Sequence, residues 1–152
     1  MQSTASLLDK IKSDYPQLNF KKGTQYMWSP SENTIFFADS IIQPVSLLHE
    51  LAHATLDHHN YHSDIQLVAL EKQAWVRTKE LATKYDIKIS YKIIEANLDS
   101  YRDWLHSRSL CPKCNANGLQ ISSGQYQCPE CDGVWRVNEA RSCKLKRYVV
   151  NN

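Results

Sequence analysis

Five consecutive residues, His49-Glu50-Leu51-Ala52-His53, restrict the fold of this 152-residue chain more than any other feature. They follow the pattern HExxH, and a helix stacks residues four apart on one face, so both imidazoles can reach a common point. The neighbouring residues Val45, Leu47, Leu48, Leu51, Ala52 and Ala54 make this an apolar helix. Such a helix is buried, and two histidines and a glutamate buried without partners are costly. A metal ion supplies the partner. His49 and His53 are the candidate ligands, and Glu50, at the edge of the same face, is placed to take a proton from an activated water. Zinc suits imidazole ligands and lowers the pKa of bound water to about 7.

A catalytic zinc usually has three protein ligands and one open position. His59 has the metzincin spacing HExxHxxGxxH, but Leu56 stands where that pattern needs glycine, and the only methionines, Met1 and Met27, lie upstream of the motif. His58 and His62 read as loop histidines. Glu71 falls one to two turns inside the helix expected next, from which a carboxylate can be presented to the first helix. The residues themselves leave the choice open between Glu71 and a histidine.

His49-Glu50-Leu51-Ala52-His53 followed by Leu70-Glu71-x-x-Ala74-Trp75 resembles the ImmA/IrrE-like metallopeptidases, a gluzincin-type group, over roughly residues 25–85. The resemblance implies a helical zinc core with a short sheet ahead of the HExxH helix. It also implies His49, His53 and Glu71 as zinc ligands, Glu50 as the base, and a regulatory protein as substrate. The chain departs from that group in showing no helix-turn-helix and in ending with a cysteine module.

That module is the second strong signal. Cys111-Pro112-Lys113-Cys114 and Cys128-Pro129-Glu130-Cys131 are two CxxC pairs with 13 residues between them. Two such turns complete a tetrahedron around one ion, and with Gly118, Gly124 and Gly133 at tight turns they suggest a structural zinc ribbon with four cysteine ligands. Short strands are expected at Leu119–Ile121 and Tyr126–Gln127. Cys143 is left over as a free thiol. Tyr126 and Trp135, beside the basic residues that follow, are candidates either for stacking on nucleic acid or for packing inside the ribbon. Residues 136–152 carry +4 and the remainder −2. This tail is a candidate nucleic-acid contact or a solvated terminus.

Elsewhere the pattern predicts helices over about 5–15, 44–58, 63–85 and 90–105. Ser63 and Gln66 have capping-box spacing, and Ile65, Val68, Ala69 and Leu81 are read as one buried face. Tyr26–Trp28 and Thr34–Phe37 read as a hairpin across a Ser-Pro-Ser-Glu-Asn turn. No apolar run is long enough to cross a bilayer. Met1–Ala5 lacks the features of a secretory signal, so the expected location is cytoplasmic.

The expected architecture is α+β. A mainly helical zincin-like core with a short β-sheet or hairpin spans 1–108, a four-cysteine zinc ribbon 109–137 and a basic tail 138–152. The expected activity is zinc-dependent hydrolysis of a protein or peptide, with one catalytic and one structural zinc and with Tyr61 or His62 as oxyanion donor. The alternatives are a SprT-like protease acting on DNA-associated proteins, which uses a third histidine, and a non-catalytic zincin-fold module that binds nucleic acid or protein through ribbon and tail.

Overall fold

The computed structural model describes residues 4–38, 40–138 and 144–151. Cys143, expected as a free thiol, and the tail residues Glu139 and Arg141 lie outside them. The described residues form a mixed α+β chain of four helices and two small sheets. The chain divides into two compact units, residues 1–60 with 70–91 and residues 61–69 with 92–152.

In the first unit, α1 (Thr4–Asp14) contributes buried Leu7, Leu8 and Ile11. Pro16 follows it, as a proline that cannot continue a helix should. The expected hairpin forms between β2 (Met27–Ser29) and β3 (Thr34–Phe37), with Trp28 opposite Ile35. Its turn holds Asn33 at φ 50°, a left-handed position that asparagine tolerates. Sequence reasoning missed β1 (Asn19–Lys22), which runs parallel to β3 and leaves β2 at the opposite edge. It alternates too weakly to be read, since only Phe20 of its residues is even partly buried.

α2 (Pro44–Thr55) starts with proline in its first turn and packs on β2 and β3. Its stop is a Schellman motif. Asp57 takes φ 53°, its N–H donates to the Ala54 carbonyl (3.1 Å), and the His58 N–H donates back to the His53 carbonyl (3.0 Å). α3 (Asp64–Lys84) ends the same way, with Asp86 at φ 56° and the Ile87 N–H on the Ala82 carbonyl (2.8 Å). At its start Ser63 Oγ accepts the Gln66 N–H as a capping box requires, but Gln66 Oε1 takes the N–H of His62 (2.7 Å).

The face read for α3 needs correction. Ile65 is 80% exposed and Ala69 is exposed too, while Val68 is half-buried. The buried stripe is Leu67, Glu71, Ala74, Trp75, Thr78, Leu81 and Ala82, of which only Leu81 was expected. Two polar members in that stripe hide its helical period from a hydrophobicity pattern.

The second unit contains α4 (Tyr91–Ser109) and an antiparallel sheet of β4 (Leu119–Ser122), β5 (Gln125–Gln127), β6 (Val134–Val137) and β7 (Arg147–Val149), in that order. The basic tail therefore supplies an edge strand. Tyr126 and Trp135 are paired in register and buried, with rings stacked 5.8 Å apart, so neither is free to stack on nucleic acid. The Trp135 indole N–H donates to the Arg108 carbonyl (3.0 Å).

Gly118 is required here by close approach. A Cβ on it would lie 2.3 Å from Trp135 Cη2 and 2.8 Å from the Ser109 carbonyl oxygen, both held by packing. Gly118→Ala should destabilise the second unit by about 1–3 kcal/mol, read from chemical denaturation with bound metal held constant.

A pH effect should come from the first unit. Tyr85 Oη donates to Asp14 Oδ2 (2.6 Å) and Lys84 Nζ pairs with the same atom (3.1 Å). These contacts hold the Asp14 carboxyl below its ordinary 3.8. A carboxyl lowered by folding adds stability above its unfolded pKa and loses it as pH falls through the folded value. The melting-temperature difference between the protein and Asp14→Asn should therefore be present at neutral pH and shrink below about pH 4.

Candidate metal centres

The helix geometry brings His49 and His53 to one point, and α3 delivers Glu71 to it. His49 Nε2 lies 3.1 Å from Glu71 Oε2, His53 Nε2 lies 3.1 Å from Glu71 Oε1, and the two Nε2 atoms are 3.2 Å apart. Ligands bonded at about 2.0–2.1 Å to a tetrahedral ion are roughly 3.3 Å from one another. The three donors thus form one face of such a tetrahedron. His49 and Glu71 are buried, and Trp75 stacks on the His49 ring with centroids 4.1 Å apart.

Proton accounting supports the fit. Thr78 Oγ1 donates to the Ala74 carbonyl (2.6 Å), so at 3.4 Å from His49 Nδ1 it faces that atom as an acceptor. His58 Nε2 donates to Gln73 Oε1 (3.2 Å), which leaves His58 Nδ1 to accept from His53 Nδ1 (2.9 Å). Both ligand histidines therefore carry the proton on Nδ1 and turn Nε2 lone pairs toward the Glu71 carboxylate. Only a positive charge between them satisfies that arrangement.

The titration tendencies agree. With no ion at the site, protons on the Nε2 atoms would fill the same role: burial would raise the Glu71 carboxyl, but hydrogen bonds from His49 and His53 outweigh this and hold it at about 2. Burial would lower the His53 pKa, yet Glu71 by hydrogen bond and charge, and Glu50 by charge, raise it. A proton on His53 answers the same demand that a metal ion would. His58 is lowered by burial first and by the charge of His53, which keeps it neutral as its acceptor role needs.

Glu50 stays outside the donor set. Its Oε2 accepts the Trp28 N–H (2.7 Å), and the Trp28 indole N–H donates to the His58 carbonyl (3.0 Å). His59 is exposed and paired with Asp57 (3.0 Å), away from the metzincin role. His58, read as a loop histidine, is buried, because the Schellman turn at Asp57 folds it back over His53. Tyr61 and His62 belong to the other compact unit. Sequence reasoning missed Trp28, Gln73 and Thr78. Thr78, seven residues after Glu71 on one helix face, is the one a helical repeat could have found; nothing in the sequence marks Trp28.

The cysteines form the second centre. Cys111 Sγ is 3.7 Å from Cys131 Sγ, and Cys114 Sγ is 3.4 Å from Cys128 Sγ. Thiolates at about 2.3 Å from one tetrahedral ion stand roughly 3.8 Å apart. The two turns repeat one design. Asn115 and Asp132, each just after the second cysteine, take φ 63° and 60°. The N–H of Lys113 and of Glu130 points at the first sulfur of its turn (3.4 Å in each). Burial opposes a Cys111 thiolate, but the backbone N–H groups of Cys114 and Lys113 outweigh it and lower that thiol to about 6.

Both groups, four cysteines and His49/His53/Glu71, are thus arranged to bind a metal ion. No protein-family model matches the chain, and no curated protein or solved structure matches it either. Among the described residues no helix is long and apolar enough to cross a membrane.

Elemental analysis of the purified chain should find two metal equivalents, with Glu71→Ala losing one and Cys128→Ser the other. His58→Ala should weaken the His49/His53/Glu71 site about 10–100-fold in chelator competition and leave the cysteine site unchanged.

Proposed function

We propose that the chain is a zinc peptidase, with a zincin-like, gluzincin-type core and a four-cysteine zinc ribbon. The observation that carries this reading is the division of labour at the first centre. Three donors converge at tetrahedral spacing, and a separate carboxylate, that of Glu50, is held at one oxygen by the Trp28 N–H. A purely structural site has no need of such a carboxylate, and it closes all four positions with protein ligands.

The chemistry that zinc supplies at His49, His53 and Glu71 is Lewis-acid polarisation of the scissile carbonyl and acidification of water. The remaining work falls to the protein. Trp28 N–H holds Glu50 Oε2, so Oε1 takes the proton of the attacking water as its oxygen bonds to the carbonyl carbon. Glu50 then returns that proton to the leaving nitrogen as the C–N bond breaks. β2 lies at a sheet edge, a place where an extended peptide can align by main-chain hydrogen bonds. A regulatory protein is the proposed substrate, and the cytoplasm the proposed location. Glu71 at the third corner favours this reading over a SprT-like site with a third histidine.

The test is Glu50→Gln, which keeps shape and hydrogen bonding but removes the base. It should retain two zinc ions and lose about 10²–10⁴-fold in hydrolysis of a quenched peptide library. Unchanged cleavage by this variant would assign the activity to a contaminant or to another base.

A further inference from the structure

With Tyr126 and Trp135 committed to the core, the exposed aromatic among the described residues of the four-stranded sheet is Tyr148, which is 49% exposed. Its place follows from register. Arg136 sits opposite both Tyr148 on β7 and Gln125 on β5, and Gln125 sits opposite Ser122 on β4. Ser122, Gln125, Arg136 and Tyr148 therefore form one rung across all four strands, on the face turned away from Tyr126 and Trp135. Lys146 lies two residues from Tyr148 and shares that face; its main-chain N–H donates to Asn138 Oδ1 (2.8 Å). Arg147 turns to the other side and anchors the strand, with Nη1 on the Leu110 carbonyl (2.6 Å).

Charge is distributed along the strands in a directed way. Among the described residues from 134 onward there are four cations, Arg136, Lys144, Lys146 and Arg147, all exposed, and no acid. Among the described residues after Leu110 the acids are Glu130 and Asp132, both at the knuckle end. The opposite end, where β5 follows Gly124 and β6 finishes at Val137, is positive. There Ser123, Gly124, Arg136, Val137 and Tyr148 line a shallow hollow of about 320 Å³.

We infer that this face binds single-stranded nucleic acid. A base stacks on Tyr148 over the hollow, the Arg136 guanidinium and Gln125 amide meet its polar edge, and Lys144 and Lys146 neutralise the flanking phosphates. An acidic peptide would find the same cations, but it has no use for an exposed ring set beside a guanidinium above a hollow. The inference is independent of the peptidase reading, because none of its residues belongs to the first metal centre.

The experiment is fluorescence anisotropy on the full, zinc-loaded chain with labelled oligo(dT), oligo(rU) and duplex DNA of about 15 nucleotides. Salt is varied throughout, and polyglutamate serves as competitor. Both single strands should bind, more tightly than duplex, with the relative affinity of oligo(dT) and oligo(rU) naming the preferred sugar. Tyr148→Ala should weaken binding about ten-fold and Tyr148→Phe should preserve it. Lys146→Gln should lower the slope of log affinity against log salt by about 0.7. Retention of two zinc ions in each variant keeps an unfolded unit from mimicking the result. Absence of binding at low salt, equal binding by Tyr148→Ala, or polyglutamate displacing the oligonucleotide at equal charge would overturn the proposal. The last of these would assign the face to an acidic protein partner instead.

Discussion

The interaction on which the first unit depends is the insertion of the Glu71 carboxylate between His49 and His53. An ionised carboxylate taken out of water costs several kcal/mol, and an arrangement with no positive charge between its donors would not recover that cost. The surrounding structure answers this demand. α2 and α3 are both capped by left-handed aspartates, so each helix ends at a defined residue. Between them, a stripe of small and apolar residues at Leu48, Ala52, Ala74 and Leu81 lets the helices approach until the donors meet. Thr78, His58 and Gln73 then fix the proton positions on the far sides of the two imidazoles.

The second unit solves a related problem by duplication. Each cysteine turn has a proline after its first cysteine, a left-handed Asn or Asp after its second, and a backbone N–H on the first sulfur. The sheet between the turns is too small for a large core, and its buried members are few: Tyr126, Trp135 and Val137 with Cys111 and Cys128. A domain of this size usually needs a metal or another staple in addition to its core. The ion proposed for the four cysteines meets that need, and the opposite end of the same strands is left to carry the basic face.

How much is legible in the sequence depends on whether a signal is local. His49, His53 and the cysteine pairs follow from spacing alone, and so do the start of α2, the β2–β3 pairing and the bounds of α3. By contrast, α2 stops at Thr55, short of the expected 58, and α4 runs past the expected 105 to Ser109. Glu71 can be nominated because it lies on a helix at a reachable distance, but its meeting with both histidines is a tertiary fact. Hydrophobicity points to Ile65 on α3, whereas the stripe that is buried there holds Glu71 and Thr78. His58 looks like any loop histidine, since the turn that buries it rests on an aspartate in a conformation usually given to glycine. β1 and β7 are short edge strands without alternation, β1 exposing all but Phe20 and β7 exposing all three of its residues. Trp28 has no sequence mark at all, because its role comes from main-chain and indole donors at the edge of a sheet.

That last residue has a consequence for how the site can change over time. Trp28 presents two N–H groups from one residue, one to the Glu50 carboxylate and one to the carbonyl of His58. The group proposed to move protons and the loop that carries His58 over His53 are thus both tied to one residue. A lineage that exchanged this tryptophan for a phenylalanine would keep the packing and the main-chain contact but free the His58 loop, separating two functions that here share one hinge pin.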